Sequence, residues 1–316
     1  MVMKKLSTIF LALVLALVAA ACNANSTSCK GNSSATAQET LTIKHQLGVT
    51  KVKKNPQKVV VFDFGVLDSL DKLGIEVAGA PKNNLPSYLA KFKDAKVENV
   101  GGLKEPDFEK INAIAPDLIV ISARQAESYK EFSEIAPTIY LGVDFTRYMD
   151  SFKENMNTLG KIFGKEAVVK QELANIDRAI ENLNKKASVS DKKALIVLAN
   201  EGKVSAYGPG SRFGLIHDVF GVKPVDSNIK ASTHGQSISF EYIVDKNPDY
   251  LFVIDRSAVV GGQSGAKQVI ENELVKKTTA FKEGHIVYLD PNYWYLSGGG
   301  LASVAEMVRE IEQGLK

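Results

Sequence analysis

Four short apolar runs, KVVVF (58–62), LIVIS (118–122), ALIVL (194–198) and YLFVI (250–254), stand out from an otherwise mixed chain. Hydrophobicity that is continuous over about five residues suits strands covered on both faces, as in a parallel sheet between helices. Two of the runs close a longer pattern that occurs twice. FEKINAIAPDLIVISAR, from Phe108 to Arg124, aligns without a gap with FEYIVDKNPDYLFVIDR, from Phe240 to Arg256, each residue matched by the one 132 further on. In the first copy Phe108, Ile111, Ile114 and Ala115 fall at helical spacing, Pro116 closes the helix and the apolar run follows; the second copy behaves alike around Pro248. Each copy therefore predicts a helix end, a Pro-Asp turn and a buried strand.

Between the copies, Val169, Leu173, Ile176, Ile180 and Leu183 step by 4, 3, 4 and 3, the period of one amphipathic helix. From Lys165 to Lys186 it would extend roughly 33 Å at 1.5 Å per residue, enough to join two lobes in a single pass. The expected fold is α/β: two related lobes with short parallel sheets flanked by helices, joined by one long α-helix, with the ligand in the cleft between the lobes. A one-helix connection predicts a stiff molecule in which repeat-related residues face each other across that cleft. The expected boundaries are an N-terminal lobe over 41–164, the linking helix over 165–187 and a C-terminal lobe over 188–316.

The start of the chain belongs to no fold. Lys4 and Lys5, an apolar run of 13 residues from Ile9 to Ala21 and then Cys22 read as a secretory signal peptide over 1–21 with a lipoprotein processing site, Cys22 being the acylated residue. The run is too short to span a bilayer. Residues 22–40 are small and polar and read as a flexible tether to the membrane. The only other cysteine, Cys29, lies in this tether, so disulfides are not expected to hold the fold together.

Without residues 1–21 the charge balance is 37 basic against 36 acidic residues, a net charge of +1. Near neutrality argues against nucleic acid or an anionic membrane surface as partner, so any cationic site must be built locally from a few residues. Enzyme motifs are missing: there is no GxSxG, HExxH or GxxxxGK[ST], and GGQSGAK at 261–267 lacks the P-loop spacing. The four histidines, His45, His217, His234 and His285, are widely scattered, which disfavours a metallohydrolase or a direct zinc or manganese receptor.

The lipoprotein signal, the paired FEKI…PDLIV and FEYI…PDYLFV motifs and the long central helix together resemble the substrate-binding lipoproteins of iron-siderophore ABC transporters, metal receptors with a helical backbone. The resemblance runs from Leu41 to the end. Within that family, VVVFDFGVLDSLDKLGI, KEFSEIAPTIYLG, SRFGLIHDVFG and YWYLSGGGL most resemble the branch from bacilli that binds ferric petrobactin and similar catecholates. The resemblance implies an extracytoplasmic receptor, monomeric and lipid-anchored on a Gram-positive cell surface, with no cofactor of its own. It would capture a ferric siderophore and deliver it to a dimeric ABC permease.

Ferric iron is best held by anionic oxygens, and catecholates deliver it as a complex with several negative charges. Arginine suits such a ligand because its charge is permanent, its donors form a fork and its face stacks on aromatic rings. Arg124 and Arg256 end the two repeats where α/β proteins place ligands, and Arg212 lies in the glycine-rich YGPGSRFG. The three match the family's arginine pattern for anionic catecholate complexes. The resemblance also implies pocket roles for His234 and Tyr295, which relatives use to fill iron positions left open by a chelator with fewer than six donors; Lys104, Trp294 and Tyr293 are further candidates for the wall. Glu109 and Glu241 match family positions that dock on arginines of the two-fold symmetric permease. Receptors for ferric hydroxamate, haem or cobalamin, and more distantly an extracytoplasmic hydrolase, are the competing readings.

Overall fold

The computed structural model of the chain describes residues 39–315. The expected signal peptide, Cys22, Cys29 and the tether as far as residue 38 lie outside the described residues.

An antiparallel hairpin of β1 (Thr40–His45) and β2 (Gly48–Lys53) comes first. The N-terminal lobe is a five-stranded sheet of β3 (Val59–Val61), β4 (Gly79–Ala80), β5 (Glu98–Asn99), β6 (Leu118–Ile121) and β7 (Thr138–Tyr140), all parallel, in the order β5-β4-β3-β6-β7. Every residue of β3 and β6 is buried, as their unbroken apolar runs require. The hairpin adds to this lobe through the Thr50 hydroxyl, which donates to the Thr138 carbonyl at 2.8 Å. Helices α1 (Phe64–Lys72), α2 (Phe108–Ile114) and α3 (Tyr148–Phe163) complete it.

The linking helix α4 spans Glu166–Ser188 and buries Val169, Leu173, Ile176 and Leu183, four of the five residues of the expected stripe, while Ile180 is partly buried against the same core. Beyond it lies a sheet of β8 (Lys193–Asn200), β9 (Lys203–Tyr207), β10 (Lys223–Pro224), β11 (Gln236–Ile238), β12 (Tyr250–Asp255) and β13 (Ile286–Leu289). The strands β8, β12 and β13 form a parallel core, with β10 parallel to β8, whereas β9 and β11 extend it antiparallel. The antiparallel return follows from the Glu201-Gly202 turn, where both residues have positive φ, 48° and 78°. That is the geometry of a tight two-residue hairpin loop. Helices α5 (Phe240–Lys246) and α6 (Leu301–Gly314) belong to this half.

The repeated Pro-Asp does the same work in both lobes. Helices α2 and α5 end on left-handed residues, Ala115 at φ 50° and Asn247 at φ 41°. The aspartate then grips the start of the neighbouring parallel strand. Asp117 donates its N–H to the Lys58 carbonyl at 2.8 Å, and its Oδ2 accepts from Lys58 N–H at 3.1 Å. Asp249 does so with Lys193, at 2.9 and 2.7 Å. Each aspartate thus fixes the register of β3 with β6, or of β8 with β12.

The lobes have a second connection, which the sequence reading lacked. Helix α6 packs on α4 and reaches α1 of the N-terminal lobe. Asp68 of α1, only 1% exposed, caps it: the Ala302 and Ser303 N–H groups donate to its two oxygens at 2.8 and 2.7 Å, and the Tyr88 hydroxyl donates at 3.0 Å. A carboxylate suits the positive end of a helix. The approach is close enough that a Cβ on Gly65 would meet the Ser297 carbonyl at 2.9 Å, which explains one use of the glycines in SGGG and its partner in α1.

Asp68→Ala should therefore lower stability by about 2–4 kcal/mol at neutral pH, because two buried N–H groups lose their acceptor. Burial, opposed by the Ala302, Ser303 and Tyr88 hydrogen bonds, raises the Asp68 pKa from 3.8 to about 6. The folded chain then holds this proton more tightly than the unfolded one, so the group's contribution is fully present below the unfolded value and declines as pH rises through about 6. Urea denaturation at pH 4.5 and pH 7 should show the wild-type advantage over Asp68→Ala shrinking as pH rises; an advantage that grows contradicts this sign.

Candidate functional site

Arg124 follows β6 on a short turn, Ala123–Ser128, that is pinned by Gln125. The Gln125 side chain accepts from Ser122 N–H at 3.2 Å and donates to the Leu103 carbonyl at 2.5 Å. Arg256 follows β12 directly, its N–H on the Ala199 carbonyl at 3.0 Å. Arg212 lies after β9 in a loop closed by Asp218, whose carboxylate accepts from Gly210 N–H at 2.6 Å, and by the Ser211 hydroxyl on the Gly208 carbonyl at 2.5 Å. Gly210 has φ 70°, a conformation that glycine adopts without strain.

These loops bring the three arginines to one cleft. An open cavity of about 1300 Å³ is lined by Lys104, Arg124, Arg212, His234, Trp294 and Tyr295, among others. A second, of about 820 Å³, takes Lys104, Arg124, Arg256 and Tyr295. Lys104, Arg124 and Tyr295 are common to both, so the two are halves of one site spanning both lobes.

Tyr295 organises the cationic wall. The Arg256 Nε donates to its hydroxyl at 2.7 Å, and the Arg212 Nη2 donates to its backbone carbonyl at 2.5 Å. Both guanidinium groups also lie over its ring, Cζ to centroid 4.5 Å for Arg212 and 5.6 Å for Arg256. Asn200, at the end of β8, accepts from Arg256 Nη1 at 2.6 Å and fixes the fork. Among the described residues none of the three arginines forms an ion pair with a carboxylate. Burial lowers the Arg212 pKa and the charge of Arg124 adds to this, so the positive charge is concentrated and uncompensated. Burial alone would raise the Tyr295 pKa, yet the Arg256 hydrogen bond and the charges of Arg212, Arg256 and Arg124 bring it below its ordinary value. Such a wall is made to receive an anion with planar oxygen-bearing groups.

The adjacent aromatics separate because residues Asn292–Leu296 form a π-helical turn. Trp294 reaches the cavity wall but is only 2% exposed, its indole N–H donating to Glu310 at 2.7 Å. Tyr293 does not line the site. Its ring packs on Tyr88, centroids 4.6 Å apart. His234 is exposed on a loop at the cavity, its N–H held by the Ser232 hydroxyl at 3.1 Å.

The other histidines are engaged elsewhere, His45 with Thr50, His217 with the Val222 carbonyl and His285 with the Asp249 carbonyl. No three His, Cys, Asp or Glu side chains group as a metal site among the described residues.

Glu109 and Glu241 stand apart from the cleft, each exposed in the first turn of its helix, α2 or α5. The helix starts are built alike, Asp107 accepting from Lys110 N–H at 3.0 Å and Ser239 from Tyr242 N–H at 3.4 Å. Glu241 is held below its ordinary pKa by its own backbone N–H and the Ser239 hydroxyl. Among the described residues no helix is long and apolar enough to cross a membrane. Asp63, Tyr148 and Asn200 line or support the site without a signal in the sequence, since each is a single residue outside any repeat.

The family model for periplasmic binding proteins matches residues 59–293. The chain is 61% identical over 318 residues to the petrobactin-binding protein YclQ of Bacillus subtilis, covering 99% of this chain and 100% of that one. The crystal structure of that protein superposes with a TM-score of 0.87 at 62% identity, over 88% of this chain and 99% of the other. The catecholate-siderophore binding protein VctP of Vibrio cholerae superposes with a TM-score of 0.83 at 40% identity, over 87% and 100%.

Proposed function

Since the chain belongs to the periplasmic binding protein family, we propose that it is an extracytoplasmic receptor for an anionic ferric siderophore of the catecholate type, petrobactin above all, serving an ABC importer. The observation that carries this reading is the gathering of Arg124, Arg212 and Arg256 with Tyr295 at one cleft, without a carboxylate ion pair among the described residues. Charge-assisted hydrogen bonds from the guanidinium groups meet the catecholate oxygens, and the arginine faces receive the rings. Lys104, exposed and in both halves of the cleft, adds a further cation. Iron arrives and leaves as cargo inside its chelator, so binding and release, not bond chemistry, are the protein's task.

For a chelator with fewer than six donors, Tyr295 and His234, which both line the cavity, would complete the iron shell, and the lowered pKa of the Tyr295 phenol supports this use. Glu109 and Glu241 serve as paired docking charges for a two-fold permease. Cys22 carries the lipid anchor in this reading, and the receptor acts as a monomer. Uptake of radioactive ferric petrobactin by cells deleted for their own receptor tests the role: this chain restores uptake if the proposal holds, and leaves it at background if it does not.

A further inference from the structure

The larger half of the cleft contains one acid. Asp63 follows β3 and caps α1, its Oδ1 accepting from Val66 N–H at 2.9 Å. It lines the same cavity as Arg124 and Arg212. Capping alone does not call for a charge, since asparagine caps a helix as well as aspartate does. In a cavity shaped for an anion, a fixed negative charge repels the ligand unless the ligand presents something positive there.

A second observation points the same way. Tyr148, the first residue of α3, is part of this cavity's wall and 5% exposed, and its hydroxyl is buried with no hydrogen-bond partner among the described residues. A hydroxyl in this position is costly to leave unmatched. Burial pushes the phenol's pKa up, with the charges of Arg212 and Asp63 acting on it in opposite directions, so it stays protonated and can both donate and accept. In the same cavity, Leu141, Val143, Phe145 and Met307 supply an apolar lining that suits a methylene chain.

We infer that Asp63 and Tyr148, on the wall of the cavity that Arg124 and Arg212 also line, form a sub-site for a protonated amine carried on the aliphatic backbone of the chelator. The inference rests on the ferric-catecholate reading and sharpens it. The arginines hold the negative iron-bearing head, and the sub-site reads the arm, selecting catecholates with a cationic backbone over those without one. Asp63 supplies the counter-charge and Tyr148 the hydrogen bond.

The test uses two synthetic ferric catecholates with the same catechol donors, one with a secondary amine in its aliphatic arm and one with that amine acetylated. Wild-type protein should favour the amine by on the order of tenfold, the size of a single partly buried charge pair. Asp63→Asn keeps the helix cap and should abolish the preference, losing affinity for the amine chelate while gaining it for the acetylated one. Tyr148→Phe should weaken the amine chelate several-fold and leave the melting temperature of the unliganded protein unchanged or higher, the mark of a hydroxyl with no partner in the empty site. The sub-site is overturned if wild type binds both chelates equally, if Asp63→Asn retains the preference, or if Tyr148→Phe melts earlier with unchanged affinity. Failure of wild type to bind either chelate instead overturns the catecholate reading itself.

Discussion

The Glu109→Ala/Glu241→Ala double variant is expected to bind ferric petrobactin as the wild type does, yet to give no iron uptake in cells that lack their own receptor. The two glutamates sit at matching positions, 132 residues apart, in the first turns of α2 and α5. They are exposed and outside the cleft, so their loss leaves the arginine wall intact. In the proposed docking role, one charge on each lobe would fix the placement of the cleft over a two-fold permease, and rim charges of this kind set orientation and association rate more than affinity. Single variants should fall between wild type and the double variant. Uptake at the wild-type rate by the double variant, or a loss matched by weaker chelate binding, contradicts the docking role.

Arginine substitutions are expected to separate binding from folding. Arg124→Ala, Arg212→Ala and Arg256→Ala should each weaken the ferric catecholate by about 1.5–3 kcal/mol, the range for a hydrogen bond to a charged group. That is a loss of roughly ten- to over a hundredfold in affinity. Arg256→Ala should have the further effect of returning the Tyr295 phenol towards its ordinary pKa, because the Nε hydrogen bond is lost. Arg212 is a largely buried cation that has no carboxylate partner among the described residues and feels the charge of Arg124. Its removal takes away an unfavourable buried charge along with a stacking contact, so the unliganded protein should lose at most about 1 kcal/mol of stability. Parallel calorimetry and chemical denaturation check both halves; three variants with wild-type affinity would place the site elsewhere.

The repeat was legible because helix and strand periods reappear at a fixed offset, and Pro116-Asp117 and Pro248-Asp249 do equivalent work in the folded chain. The linking helix was legible because its apolar residues from Val169 to Leu183 recur every three or four positions, all of them buried or partly buried against the core. Arg124, Arg212 and Tyr295 were reachable because each follows a strand or lies in a motif. The Asp68 cap on α6 was not, since its partners are 234 and 235 residues away and no period connects them. The Glu201-Gly202 hairpin was likewise hidden: a glutamate at positive φ is an uncommon choice, imposed by strand pairing on both sides. The three consecutive aromatics Tyr293, Trp294 and Tyr295 look equivalent in sequence, whereas a π-helical turn gives them different neighbours, Tyr88 for Tyr293 and Glu310 for Trp294. Asp63 and Tyr148 come to line one cavity only in the tertiary fold.

The central claim, that an uncompensated arginine cluster selects an anionic ferric catecholate, is tested most directly by titrating the protein with a panel of ferric chelates and following quenching of its intrinsic fluorescence, to which its single tryptophan, Trp294, contributes from the cavity wall. Ferric petrobactin and other ferric catecholates should bind far more tightly than a neutral ferric hydroxamate or haem, and the advantage should diminish as salt is raised. A hydroxamate or haem that binds as tightly as the catecholates contradicts the account.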